Sequence, residues 1–433
     1  MPYRHCGPTC HQRPLLQKLN GFSIAVRLVM AVAFCLTVWP RHSAADEAET
    51  PLETDKQLIA KITKPAGTLP IHWRVTWRED PATKAVVSWN TIEEGGVHRL
   101  HLRSEDGSRK EILNCQRNGR CTGGGHPLFY HHARLSELKP ATKYFVQMES
   151  DGKKSAEFWF LTAPAADKSV QLLFGGDSRS GHTQRRFMNR RMARLLKELP
   201  GILALAHGGD YIVDGRRLDQ WWLWMADHEL TVTDDGRLLP VIPARGNHDP
   251  GPLFNEIFDF PPDDLNYYAV GLTPQVRWIT LNTETSMAGD QKEWLQAELA
   301  TARPEHRWVA AQYHRPAWPA VKRPSSALQH CVPLFEQYNI DLVCEADGHN
   351  LKRTVPIRAG KQDPTGIVYI GEGGLGVGQR QPKTDRWFLQ KPGMAIPAHN
   401  VQLLTFSKDR LHYKAIGMDG ATLDEHAFSP REK

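Results

Sequence analysis

Five short apolar runs, each ending in a residue type that binds metal, constrain this chain more than any other feature in it. They are residues 172–177 (LLFGGD), 203–210 (LALAHGGD), 238–249 (LLPVIPARGNHD), 309–314 (VAAQYH) and 342–349 (LVCEADGH). Short apolar runs bounded by turn residues read as buried strands. An open α/β sheet presents its ligands beyond the carboxyl ends of such strands. Taken alone, Gly246-Asn247-His248-Asp249 reads equally well as an ordinary Asx turn, because Gly, Asn and Asp all favour tight turns. Four further runs of the same design point instead to one shared site.

The side chains delivered are Asp177, Asp210, Asn247, His314 and His349. Two hard anionic oxygens combined with neutral oxygen and nitrogen donors suit zinc, manganese or iron. The ordered blocks resemble the calcineurin-like metallophosphoesterases, and the flanking sequence resembles their purple acid phosphatase branch, whose blocks read GDxx, GD, GNHD, a lone His and GHxH. The resemblance implies an α/β (α+β layered) metallophosphoesterase sandwich in which Asp210 bridges two metals, while Asn247, His314 and His349 complete the second site. It further implies a metal-dependent phosphoric ester hydrolase, acid phosphatase-like, in which metal-activated hydroxide attacks a small phosphate ester. Phosphomonoesters are expected ahead of phosphodiesters or nucleotides. His248 would face the substrate as general acid, with Asp249 beside it fixing its tautomer. The rival reading is a noncatalytic exported protein that grips a phosphorylated or glycan ligand around a decayed metal site.

Two departures from the branch bear on the first metal. Val213 stands where the family carries a tyrosine three residues after the bridging aspartate, with Tyr211 displaced, so iron-tyrosinate colour is not expected. The closing block reads Gly348-His349-Asn350-Leu351, with Leu351 in the place of a second histidine. Arg179 replaces the histidine of related DxH enzymes. One or two divalent or trivalent ions per chain are therefore expected, one tight and the other weak or absent. Asp347 becomes a substitute ligand if a strand continues through residues 345–349 and puts Glu345, Asp347 and His349 on one face. Arg179 is read as a phosphate-binding residue, its guanidinium forking onto the ester; the alternative is structural pairing with Asp177 and Asp210.

Residues 1–45 carry Arg4, Arg13, Lys18, Arg27 and Arg41 but no acid, surround an apolar core at 24–39, and end on Ser43, Ala44 and Ala45. This predicts an export signal and a periplasmic or secreted protein. The apolar core, interrupted by Arg27, falls short of the ~20 residues that span a bilayer, so no stable membrane anchor is expected. The net charge of +6 less the five leader cations leaves only +1, which removes support for a nucleic-acid or membrane-surface role. Oligomeric state is left open. Cys6, Cys10 and Cys35 lie in the leader. Cys115 and Cys121 flank an Asn118-Gly119 pair, a hairpin signal that predicts a disulfide between them. Cys331 and Cys344 are either reduced core thiols or a second bridge.

Residues 46–66 read as a tail and linker. Alternation at Trp73-Val75-Trp77, Ala85-Val87-Trp89, Tyr144-Val146-Met148 and Phe158-Phe160 predicts an all-β antiparallel sandwich over 67–165. Within it, residues 135–144 (LSELKPATKY) resemble the tyrosine corner of fibronectin type III domains. The resemblance implies a fibronectin III-like domain ahead of the metallophosphoesterase domain at 168–420. His126, His131 and His132 read as loop and solvated-edge residues rather than a second metal site. Helices are predicted over 184–199, with Met188, Met192, Leu195 and Leu196 three or four apart, and over 290–302, opened by an Asp290 to Glu293 capping box. Trp221, Trp222 and Trp224 read as core rather than as a base-stacking platform. Residues 371–376 (GEGGLG) match GxGxxG but precede no helix-forming run, so no dinucleotide site is expected.

Overall fold

The computed structural model describes residues 67–431. The predicted export signal and the 46–66 linker lie outside those residues. A ten-stranded sheet runs from Thr422–Phe428 through Leu411–Gly417, Asn400–Phe406, Val170–Gly175, Ile202–His207 and Val241–Pro243 to Ile71–Thr76, Ala85–Thr91, Phe129–Leu135 and Arg117–Arg120. A seven-stranded sheet packs on it and contains the parallel series Val276–Thr280, Trp308–Tyr313, Leu342–Glu345 and Val368–Gly371. The three strands Val170–Gly175, Ile202–His207 and Val241–Pro243 are also parallel. Side chains alternate across each strand. Leu172 and Phe174 enter the core between the sheets with Trp278, Ala310 and Leu342. Leu173, between them, turns outward to Met188, Met192 and Leu196 of helix His182–Glu198. On the opposite face, Leu295 and Leu299 of helix Asp290–Glu305 cover Val309, Ala311 and Val343. Two helical layers therefore enclose two sheets.

The second helix begins differently from expectation. Gly289 is its N-cap and no side chain caps it. Asp290 is already the first helical residue, where its carboxylate meets the positive end of the helix dipole instead. Trp221, Trp222 and Trp224 are core residues as expected. Among the described residues no helix is long and apolar enough to cross a membrane.

The N-terminal antiparallel sandwich forms, with one sheet of its own and one it shares. Its private sheet centres on His98–Ser104 and Lys143–Ser150 and packs Leu100, Leu102, Val146 and Met148 onto Val75, Val87, Trp89 and Ala133. The tyrosine corner is present: the Lys139 backbone N–H donates to Tyr144 Oη at 2.8 Å. The facing strands belong to the ten-stranded sheet, because Ile71–Thr76 pairs in parallel with Val241–Pro243 through Thr76 and Val241.

Two expectations in this domain fail. Cys115 and Cys121 are both free thiols, as are Cys331 and Cys344. Asn118 and Gly119 do not turn the chain; they lie inside strand Arg117–Arg120, paired with Phe129–Leu135. A four-residue strand spans about 13 Å, whereas a disulfide needs Cα atoms within about 7 Å. His131 and His132 are not at a solvated edge but buried. His132 Nδ1 meets Ser88 Oγ at 2.7 Å and its Nε2 meets the Glu256 carbonyl at 2.8 Å. His131 bridges Thr91 Oγ1 and Asn118 Oδ1, both at 2.9 Å, and stacks on His98 with ring centroids 3.6 Å apart.

Burial pushes the pKa of His131 down to about 2 and of His132 down to about 3. The unfolded chain takes up these protons below its ordinary value near 6.5, while the folded chain refuses them. Each histidine therefore removes about 1.4 kcal/mol of stability per pH unit as pH falls below 6.5. Thermal unfolding at pH 7 and pH 5 should show this loss. His132→Leu is expected to be less stable at pH 7, with Ser88 and Glu256 left unpaired, yet to lose less than wild type between the two pH values. An unchanged pH slope would show that His132 is protonated in the folded protein.

Candidate functional site

All five predicted ligand residues converge beyond the carboxyl ends of the parallel strands. Asp177 follows Val170–Gly175, Asp210 follows Ile202–His207, Asn247 follows Val241–Pro243, His314 follows Trp308–Tyr313 and His349 follows Leu342–Glu345. Asp177, Asp210, His314 and Asp347 are buried and offer ligand atoms within 4.8 Å of one another. His314 Nε2 lies 3.2 Å from Asp210 Oδ1, 3.2 Å from Asn247 Oδ1 and 3.6 Å from Asp347 Oδ1. His349 Nε2 lies 3.3 Å from Asp177 Oδ1. Asp210 joins the two groups: its Oδ1 faces His314, and its Oδ2 lies 3.3 Å from Arg179 Nε, whose guanidinium is also 3.3 Å from His349 Nε2.

This geometry shifts the register of the last block. From sequence, His349 belongs with Asn247 and His314, and the first half lacks a histidine at Leu351. In the structure Asp347, not His349, faces His314, and His349 faces Asp177. The two-residue spacing of the GHxH pair is met by Asp347 and His349. Leu351 starts the next strand, Leu351–Arg353, and is buried. Nor does a continuing strand bring Asp347 in. The strand ends at Glu345, whose carboxylate pairs with Lys352 and accepts from Tyr313 Oη at 2.7 Å. Asp347 and His349 instead adopt left-handed backbone, with φ of 68° and 61°.

Asp177 and Asp210 do the same, with φ of 58° and 59°. A left-handed conformation costs an L-residue roughly 1–2 kcal/mol, and such outliers gather where surrounding contacts over-determine the backbone. Here the contacts are close glycines. A Cβ on Gly373 would lie 1.9 Å from Asp177 Oδ2, and one on Gly246 would lie 2.4 Å from Asp210 Oδ1. Gly373 belongs to the 371–376 run. There it allows close approach to Asp177, a role that GxGxxG spacing does not announce.

The electrostatics are those of a cation site. Asp177 Oδ1 and Asp210 Oδ2 are buried and accept no hydrogen bond. Their other oxygens accept the backbone N–H groups of Asp347 and His248, each at 2.8 Å. Burial would keep His314 neutral, but Asp210 and Asp347 outweigh it and push its pKa well above the usual range. Against the cost of burial, His314 and Lys322 hold the Asp347 carboxyl below its ordinary value. Lys322 Nζ sits directly on Asp347 Oδ1, a neighbour with no motif to announce it. Buried anionic oxygens without donors are costly unless a cation satisfies them, so the residues present fit a centre of hard or borderline metal ions.

Beside this cluster lies His248, with its side chain one-third exposed and Nε2 4.0 Å from Asp210 Oδ2. Its expected orienting partner is different. Asp249 does not touch the imidazole; its carboxylate accepts the backbone N–H groups of Gly246, Asp210 and Tyr211 at 2.8, 2.8 and 3.0 Å. It ties two ligand loops together. The partner of His248 Nδ1 is the carbonyl of Val213, at 2.5 Å. Tyr211 is buried and stacks on His207.

A family model of the purple acid phosphatase N-terminal domain matches residues 70–162, and one of calcineurin-like phosphoesterases matches residues 182–351. Two uncharacterized proteins of Mycobacterium tuberculosis are 26% identical over 335 residues, 64% of this chain and 60% of theirs. The chain thus spans about three-fifths of the length of those relatives. A purple acid phosphatase of Glycine max is 24% identical over 337 residues, 71% of this chain and 69% of that protein. The solved purple acid phosphatase from yellow lupin (Lupinus luteus) seeds shares the fold with a TM-score of 0.71 at 16% identity, over 84% of this chain and 74% of that one. With the two domains matched in order and a fold shared with the lupin enzyme, the chain has the domain order and fold of a purple acid phosphatase-like metallophosphoesterase.

Proposed function

We propose that the protein is an exported enzyme that hydrolyses phosphate monoesters at a two-metal centre. The observation that carries this reading is the pair of buried oxygens that accept no hydrogen bond, Asp177 Oδ1 and Asp210 Oδ2, beside the accessible imidazole of His248. Asp177, Asp210 and His349 would hold one ion; Asp210, Asn247, His314 and Asp347 would hold the other, drawn from zinc, manganese or iron. A bound metal pair supplies positive charge to the phosphoryl oxygens and a nucleophile from water near neutral pH.

The chain's own side chains do the rest. The Val213 carbonyl accepts Nδ1–H of His248, so the proton the imidazolium form can give up is the one on Nε2. As water oxygen joins phosphorus and the ester P–O bond breaks, His248 gives that proton to the departing alkoxide, releasing alcohol and phosphate. Arg179 orients the phosphoryl group through its guanidinium fork. Arg179 favours a monoester, because the N–H groups of its fork can donate to a free terminal phosphoryl oxygen that a diester would have esterified. The chain divides into a sandwich over 67–165 and a metallophosphoesterase domain over 168–420, with the sandwich positioning its neighbour. The basic, apolar leader supports export.

His248→Ala should leave bound metal unchanged, by elemental analysis, and lower turnover of an aryl phosphate by about 10²–10⁴. Loss of metal together with activity would make His248 a ligand. Gly373→Ala should displace Asp177, cut metal content and activity together, and destabilise the fold. Gly378→Ala, where a Cβ meets nothing within 4 Å, should change none of these. Full metal content in Gly373→Ala would remove Asp177 from the ligand set.

A further inference from the structure

We propose that the preferred ester has a leaving alcohol with a bulky apolar body, and that this body lies in a cavity walled by both domains. This substrate class rests on the phosphoesterase reading above. The cavity has a volume of about 400 Å³ and is lined mostly by apolar surface. Ile212, Leu218, Trp222 and Leu223 form its walls. Arg179 also lines it, and its guanidinium lies 3.3 Å from both Asp210 and His349.

The cavity adjoins the site beside His248. Val213 lines it, and the Val213 carbonyl anchors His248 Nδ1. The proton donor to the departing oxygen is therefore held by a residue of the cavity wall, which puts the cavity within reach of the group that oxygen is bonded to. A small polar alcohol would leave the apolar walls against water, whereas an aromatic or branched hydrocarbon would displace that water.

The opposite wall is supplied by residues 124–126 of the N-terminal domain. Their loop is fixed in place, because the Thr122 backbone N–H donates to Glu256 Oε2 at 2.8 Å, and Gly123 packs so closely on Leu218 that a Cβ would meet it at 3.1 Å. The sandwich thus contributes directly to substrate choice.

The test compares kcat/KM for 2-(1-naphthyl)ethyl phosphate and ethyl phosphate, whose leaving alcohols have similar acidity, with the metal-loaded full chain. The naphthylethyl ester should be preferred by roughly 10–100-fold, the range expected for a filled apolar pocket. A Cβ at Gly124 meets nothing within 4 Å, so Gly124→Trp should fold and fill the cavity. It should abolish the preference by lowering kcat/KM for the naphthylethyl ester. His126→Trp provides a second blocking variant, and thermal melting confirms that each is folded. Hydrolysis of both esters at equal rates would overturn the inference while leaving the phosphoesterase reading standing. A preference that survives both variants would overturn the two-domain cavity. Hydrolysis of neither ester would overturn the phosphoesterase reading and the inference with it.

Discussion

The mutual repulsion of three buried carboxylates, those of Asp177, Asp210 and Asp347, is the constraint that the rest of the structure answers. Their ligand atoms lie within 4.8 Å of one another. At an effective dielectric constant near 20, each pair of full charges at that separation costs about 3 kcal/mol. Three such pairs approach the whole net stability of a typical domain, roughly 5–15 kcal/mol. The chain opposes them locally with His314, Arg179, Lys322 and two backbone N–H groups. Those contacts still leave one oxygen each on Asp177 and Asp210 without a hydrogen bond. A cation held there would complete the balance, and the same unsatisfied charge would give the site its affinity.

Holding the carboxylates together also requires rigid attachment, and here the N-terminal domain matters. Strand Val241–Pro243, which delivers Asn247 and His248, is short and lies between Ile202–His207 and Ile71–Thr76. The sandwich supports it on the second side: the Trp77 N–H donates to the Val241 carbonyl at 2.9 Å, and the Leu238 N–H donates to the Trp159 carbonyl at 2.7 Å. Without those neighbours the ligand loop would hang from a sheet edge. The shared sheet explains why two regions with different sequence character fold as layers of one body.

What could be read from the residues alone followed from periodicity. Apolar runs located the strands, their carboxyl ends located Asp177, Asp210, Asn247 and His314, and Tyr144 with Lys139 was legible because a tyrosine corner is a local motif. Errors arose where two patterns shared the same letters. Asn118-Gly119 is a turn signal only if both residues take positive φ, and the ladder with Phe129–Leu135 holds them extended. The GHxH spacing fits His349 to either half of the site. Only the left-handed backbone at Asp347 and His349 decides between them, and no side-chain pattern encodes it. His131 and His132 look solvated by composition, but their hydrogen bonds to Thr91, Asn118, Ser88 and Glu256 make burial affordable. Asp249 sits beside His248 in sequence, yet three backbone N–H groups compete for its carboxylate and win.

The left-handed turn at residues 347–349 persists because a second, fully buried ionic cluster fixes it from behind. Lys352 Nζ contacts Glu345, lies 3.0 Å from Glu372 Oε1 and donates to the Trp318 carbonyl at 2.5 Å; Lys352, Glu345 and Glu372 have no exposed side-chain surface. Glu345 and Glu372 stand at the ends of two neighbouring parallel strands. One lysine placed between them therefore clamps both strand ends at the same level. The clamp reaches the site through the backbone. The His349 N–H donates to the Glu372 carbonyl at 2.7 Å, the Glu372 N–H donates to Asn350 at 2.9 Å, and the Ala346 N–H donates to His314 at 3.0 Å. Residues on both sides of Asp347 and His349 are thus tied before those two residues choose their backbone conformation. A buried ion cluster is weak evidence for added stability, since well-packed apolar groups often do as well. Apolar groups would nevertheless supply no directional acceptors for Ala317, Ala320, Tyr313 and Asn350, all of which donate to these carboxylates. The cluster is better understood as the element that sets the geometry of the last ligand loop, converting two strand ends into the platform from which Asp347 and His349 face different halves of the site.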